Sequence, residues 1–153
     1  MSANTITPAV HHIGVQTPDL ANSTAWYQDF FGAEPTWTTD RFSALTTSRL
    51  PGVTRLTELV LGDFRFHLFE RPGDPGSEKS IRFQHVCMTV DTPQALTAWR
   101  EKWITLYASR RHRYLRSDQP TDIVVDDEGI QSFYCFDVNG LEFEFTWLPG
   151  GDT

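Results

Sequence analysis

The chain reads as two versions of one pattern, and that repeat constrains the fold more than any other feature. Val10-His11-His12-Ile13-Gly14-Val15 is followed by Thr17-Pro18-Asp19-Leu20. Phe83-Gln84-His85-Val86-Cys87-Met88-Thr89-Val90 is followed by Asp91-Thr92-Pro93. Each segment is a short apolar strand carrying a histidine. Each then meets a threonine and a proline, residues suited to opening a helix.

The two halves continue in parallel. Asp19 to Phe31 places Leu20, Trp26, Tyr27, Phe30 and Phe31 on a helical stripe, with Gly32 as a stop. Pro93 to about Tyr107 carries Leu96, Trp99, Trp103, Ile104 and Leu106, mostly at helical spacing. Both aromatic stripes read as core. Strands follow. Leu56–Leu61 and Phe64–Phe69 flank the tight turn Gly62-Asp63, and Gln131–Phe136 and Leu141–Trp147 flank Asp137-Val138-Asn139-Gly140. A third strand is expected around Trp37 to Thr47, with a counterpart around Ile123 to Val125. Between the halves, residues 71–80 hold two prolines and two glycines and read as a linker. The expected organisation is one domain of two modules, about 9–70 and about 81–149.

Bulk properties narrow the function. At 153 residues, 39% hydrophobic and 13% aromatic, the chain can bury a real core. A net charge of −7 argues against non-specific nucleic-acid binding and against anionic membranes. The one dense basic run is Arg110, Arg111, His112, Arg113 and Arg116. It reads as a solvated surface segment, with an anion clamp as the functional alternative. Cys87 and Cys135 lie in apolar runs and read as small buried hydrophobes, not as a disulfide. With no apolar signal core near the first residue and no membrane-length span, a cytoplasmic protein is expected.

A strand–helix–three-strand unit repeated across about Val10 to Leu148 resembles the vicinal-oxygen-chelate superfamily of glyoxalase I, methylmalonyl-CoA epimerase, fosfomycin and bleomycin resistance proteins and extradiol dioxygenases. The run from His12-Ile13-Gly14 to Asp19-Leu20 and the run from Asp137 through Asn139-Gly140 to Glu144 carry the resemblance. It implies an α+β fold in which two βαβββ modules form a half-open mixed β-barrel around a metal. It also implies that ligands come from the first strand and last hairpin of each module, here His12, His67, His85 and Glu144. The expected metal set is His12, His85 and Glu144. His11 should face away from His12, because side chains alternate along a strand.

Two histidines and a carboxylate with open positions match the facial arrangement of non-haem Fe(II) oxygenases, although Mn, Co, Ni or Zn suit the same donors. The run Ser132-Phe133-Tyr134, a glycine-containing turn and then Glu144 resembles the signature of type I extradiol dioxygenases, whose tyrosine sits beside the substrate. If Gly62-Asp63 is a two-residue turn, Leu61 pairs with Phe64 and Glu58 falls opposite His67. His67 is then a candidate acid–base group, or a fourth ligand with Glu58 bonded to its other nitrogen. Glu58 is alternatively a proton-transfer base. Trp26, Trp37, Phe42 and Phe133 are candidate apolar walls.

The favoured reading is an Fe(II) extradiol-type dioxygenase acting on a vicinal diol or enediol with O2, in which His67, Tyr134 and Glu58 are catalytic. Two features depart from that family: no histidine stands about nine residues before Tyr134, and Val138 replaces the usual proline. The alternatives are a glyoxalase-type isomerase, epimerase or lyase, to whose epimerase-like members Ser48-Arg49-Leu50-Pro51-Gly52-Val53 is similar, and a non-catalytic antibiotic-binding protein. The resemblance also implies a homodimer.

Overall fold

A computed structural model describes residues 10–72 and 86–150. The linker from residue 73 onward and His85 lie outside the described residues. Module one comprises β1 (Ile13–Thr17), α1 (Leu20–Phe31), β2 (Glu34–Thr39), α2 (Ala44–Arg49), β3 (Arg55–Leu61) and β4 (Phe64–Glu70). Module two comprises β5 (Val86–Val90), α3 (Pro93–Ala108), β6 (Val124–Val125), β7 (Gln131–Phe136) and β8 (Glu142–Trp147). Each forms one four-stranded mixed sheet, ordered β1-β4-β3-β2 and β5-β8-β7-β6. The first strand of each module pairs in parallel with the last, and the remaining pairs are antiparallel. This is the expected α+β architecture of two βαβββ modules.

The helix boundaries follow their caps. The side chains of Asp19 and Thr92 accept from the backbone N–H three residues on, at Asn22 and Ala95. Gly32 ends α1 in the left-handed region, φ 73°. Pro93 occupies the first turn of α3, where its missing donor costs nothing.

Residues 37–47 depart from the expected strand. Extended structure stops at Thr39, and Ser43 then caps α2 by accepting from Thr46 N–H. A serine followed by a run without strong alternation favours this short helix over a continued ladder. Residues 109–123 form an irregular strap beyond α3. His112 Nε2 lies 2.8 Å from Asp29, and Asn22 exchanges two hydrogen bonds with the Arg113 backbone. These contacts tie the end of α3 back to α1.

One core serves both modules. Trp26, Tyr27 and Phe30 of α1, Leu96 of α3, Phe66 of β4 and Phe143 of β8 are fully buried. Each such aromatic contributes about 2–3 kcal/mol. Tyr27 touches Phe66 and Phe143, and the last two have ring centroids 6.1 Å apart. The helix-covered faces of the two sheets therefore look at each other. Alternation along each strand then sends the next residues, His67 and Glu144, to the outward faces. Among the described residues, no helix is long and apolar enough to cross a membrane.

Candidate active site

The turn at Gly62-Asp63 sets the register of the β3–β4 hairpin: Leu61 pairs with Phe64, and Glu58 falls opposite His67, as the sequence reading required. His67 Nε2 lies 2.8 Å from Glu58 Oε2, and both residues are buried, at 8% and 7% exposure. Thr36 donates to Glu58 Oε1 at 2.8 Å, and Arg65 stands 4.0 Å from the same oxygen. Burial alone would raise the Glu58 pKa, but the bonds from Thr36 and His67 and the charge of Arg65 bring it below the usual carboxylate range. Glu58 is thus held as an ionised partner for the imidazole.

His12 precedes β1 and stacks flat on His67, with ring centroids 3.8 Å apart and planes at 6°. His11 does not face away as alternation predicts. Regular strand structure begins only at Ile13, so the period-2 rule does not reach it. Its Nδ1 lies 2.9 Å from His12 Nδ1. One donor atom from each of His11, His12 and His67 falls within 4.8 Å of the others. The His12 pKa is lowered, first by burial and then by the neighbouring His67 and His11. That favours the neutral imidazole a metal needs. Nitrogen donors in this number fit a divalent transition metal.

A cavity of about 510 Å³ opens beside this cluster, lined by His12, His67, Phe42, Leu50, Leu56 and Phe69 among others. Its volume suits a small organic molecule. Of the candidate walls, Phe42 lines the cavity and Trp37 meets His67 edge-on at 5.4 Å. Trp26 and Phe133 instead lie wholly in the core. Arg41 and Thr39 also line the cavity, and sequence reasoning missed both. Thr36 was missed because a register shift between Pro35 and Trp37 brings it to Glu58, and no pattern in the sequence marks that bulge.

Module two carries a different set. Tyr134 and Glu144 are direct cross-strand partners, and Glu144 also pairs in register with Cys87. Thr146 donates to Glu144 Oε1 at 2.9 Å. Burial, then the Glu144 carboxylate beside it, holds the Tyr134 phenol above its ordinary pKa. Cys87 is exposed on this face and is not the buried hydrophobe expected; Cys135 is buried. Glu144 is not among the clustered metal-ligand candidates of module one. The structure thus joins His12, His67 and Glu58 in one group and Tyr134 and Glu144 in another.

The family model of the glyoxalase/bleomycin resistance protein/dioxygenase superfamily matches residues 9–102. The chain belongs to this superfamily. Comparison with curated proteins by sequence returns no match. Solved structures of superfamily type share the fold at low identity. A glyoxylase/bleomycin resistance protein/dioxygenase domain from Frankia sp. EAN1pec is 16% identical, with a TM-score of 0.72 and 96% of each chain covered. Lactoylglutathione lyase from Agrobacterium tumefaciens is 18% identical, with a TM-score of 0.60, covering 94% of this chain and 96% of that one. The fosfomycin resistance protein FosX from Listeria monocytogenes, complexed with Mn(II) and sulfate, is 16% identical, with a TM-score of 0.61, covering 95% and 96%.

Proposed function

We propose that the chain is a divalent-metal-dependent enzyme acting on a small molecule with two adjacent oxygens. In this reading His12, His85 and Glu144 hold the metal, and His67 with Glu58 moves a proton. The observation that carries it is the buried 2.8 Å bond between His67 and an ionised Glu58, beside His12 and a ligand-sized cavity. His85 enters from its sequence position alone.

The metal would supply Lewis acidity that makes a substrate hydroxyl or adjacent C–H more acidic. The protein's own groups do the rest. Glu58 accepts from His67 Nε2–H, which leaves the Nδ1 lone pair to take the substrate proton. Glu58 then stabilises the imidazolium, while Thr36 and Arg65 fix Glu58. Phe42, Leu50, Leu56 and Phe69 give the cavity an apolar wall. Tyr134 hydrogen-bonds a substrate oxygen.

The two groups of residues lie on outward faces that point away from a shared core, so one chain does not bring His12 to Glu144. Two copies paired face to face, module one of one on module two of the other, would complete the site and close each half-open barrel. This is the role of the proposed homodimer, and its two-fold symmetry produces two equal sites.

The finer reaction is proposed to be Fe(II) extradiol-type oxygenation, on the pattern from Ser132-Phe133-Tyr134 to Glu144. A second reading, isomerase or lyase chemistry with Mn, Co, Ni or Zn, is favoured by the His67–Glu58 pair, which needs no O2 to act. It is also favoured by the fold shared with a lactoylglutathione lyase and with a Mn(II) complex of FosX. The test is anaerobic loading with Fe(II), then O2 uptake on catechols and enediols, with hydrogen–deuterium exchange at substrate carbon followed in parallel. Uptake requiring both Fe(II) and substrate supports the oxygenase. Exchange without uptake supports the isomerase. Metal-loaded protein showing neither contradicts the enzyme reading.

A further inference from the structure

A second cavity lies far along the chain from the histidine cluster. It has a volume of about 520 Å³ and is bordered by the end of α3 and the strap, with Tyr107, Tyr114, Arg110, Ser117 and Gln119 in its lining. Arg110, His112 and Arg116 of the basic run also line it, and most of the run is paired with carboxylates. Arg111 and His112 pair with Asp29, Arg113 with Asp19, and Arg116 with Asp118. Arg116 also lies over the Phe136 ring at 4.0 Å. Arg110 is the exception: among the described residues its guanidinium has no acidic partner.

The backbone at Arg110 is unusual too. Its φ of 58° makes it the one described non-glycine residue in the left-handed region. The other six left-handed positions are glycines, including Gly32 at the end of α1. Gly32 and Arg110 do equivalent work: each follows the helix of its module and returns its N–H to the last turn, Gly32 to Gln28 O and Arg110 to Tyr107 O. Module one uses the residue that adopts this conformation without strain. Module two accepts a strained backbone at this position. What it gains is a charged side chain at the cavity rim, and among the described residues no acidic group pairs with that charge.

The aromatic lining fixes the kind of ligand. Tyr107 and Tyr114 meet edge to face at 4.9 Å, and Tyr107 stacks on buried Trp103. The Tyr114 hydroxyl is occupied by Trp26 Nε1–H at 2.8 Å, so its ring is held in place. Ser117 and Gln119 offer polar side chains without a partner among the described residues. We propose that this cavity binds a small organic anion, a carboxylate or phosphate ester with a planar apolar part. Arg110 takes the charge, Tyr107 and Tyr114 take the planar part, and Ser117 and Gln119 hydrogen-bond the head group. This cavity shares no lining residue with the one beside His12 and His67, and its occupancy does not depend on a metal.

The test uses the full chain and phenyl phosphate as probe, followed by backbone amide chemical shifts. Saturable shifts confined to residues 104–119, with Kd of about 1 mM or tighter, are expected. Arg110→Gly should weaken binding about tenfold or more and, by releasing the strain, raise Tm by about 2–4 °C. Arg110→Gln should weaken binding equally with no rise in Tm, because the strain stays. Inorganic phosphate, without the planar part, should bind about tenfold more weakly than phenyl phosphate. No saturable shift at residues 104–119 up to about 10 mM would overturn the proposal. So would shifts centred on His12 and His67, or undiminished binding in Arg110→Gln.

Discussion

Module one and module two share a topology and differ in what their outward faces offer. The face of module one gathers imidazoles and an acid–base pair, His12, His67 and Glu58. The face of module two offers a carboxylate and a phenol, Glu144 and Tyr134, in cross-strand register. The inward faces are alike, both aromatic and packed on α1 and α3. Packing holds the buried halves of the repeat to one chemistry, while the outward halves are free to specialise. In the proposed function the two outward faces are the complementary parts of one site.

The contrast can be sharpened by removing its active element. His67→Phe keeps a planar aromatic ring and removes the proposed proton carrier, so turnover should fall about 100- to 10,000-fold while metal affinity stays. Loss of metal in that variant would make His67 a ligand and shift the balance of donors further toward module one. Metal titration beside steady-state kinetics separates the two results.

The hairpin turns differ as well. Asp63 of the β3–β4 turn is exposed, whereas Asp137 of the β7–β8 turn is wholly buried. Asp137 accepts from the Tyr27 hydroxyl at 2.9 Å and from Asn139 and Leu141 N–H, yet burial outweighs these bonds and raises its pKa from 3.8 to about 6. The folded state therefore binds this proton more tightly than the unfolded chain. The contribution to stability is full below about pH 4 and is lost as pH rises through 6, a loss of about 3 kcal/mol by pH 7. Denaturant unfolding of Asp137→Asn across pH 4–7 should lack this decline. An unchanged slope would assign the pH dependence to other groups.

Smaller effects probe positioning. Glu58→Gln leaves a hydrogen-bonding group beside His67 but removes its charge. Turnover should drop about 10- to 100-fold, with a shifted pH–rate profile and metal retained. A change in metal content alone would mean that Glu58 only orients a ligand. Tyr134→Phe should fold normally and lose about tenfold in turnover, the worth of one hydrogen bond to substrate. Unchanged kinetics would reduce Tyr134 to a neighbour of Glu144.

Much of this was legible in the sequence because local rules governed it. The repeat specified the two βαβββ modules, and Asp19, Gly32 and Pro93 bounded the helices. The two-residue turn at Gly62-Asp63 predicted the His67–Glu58 pair. What escaped depends on tertiary context. His11 joins the cluster because it precedes the strand that would have turned it away. Thr36 reaches Glu58 through a bulge, and α2 replaces the end of an expected strand. Cys87 sits in an apolar run yet is exposed, because β5 lies at the edge of its sheet and the residue points outward. That the two outward faces diverge follows from Phe66 meeting Phe143, a contact between residues 77 positions apart that no periodicity encodes.

The claim that the site is divided between two copies can be tested directly by complementation. His12→Ala and Glu144→Ala chains, each expressed alone, should bind no stoichiometric metal. Mixed dimers carrying one of each keep one intact pairing, the unaltered module one of the Glu144→Ala chain against the unaltered module two of the His12→Ala chain. Purified mixed dimers should therefore recover half the metal content and half the activity of the unaltered dimer. Mixed dimers as empty as either parent would place His12 and Glu144 of the same chain in one site and contradict the account.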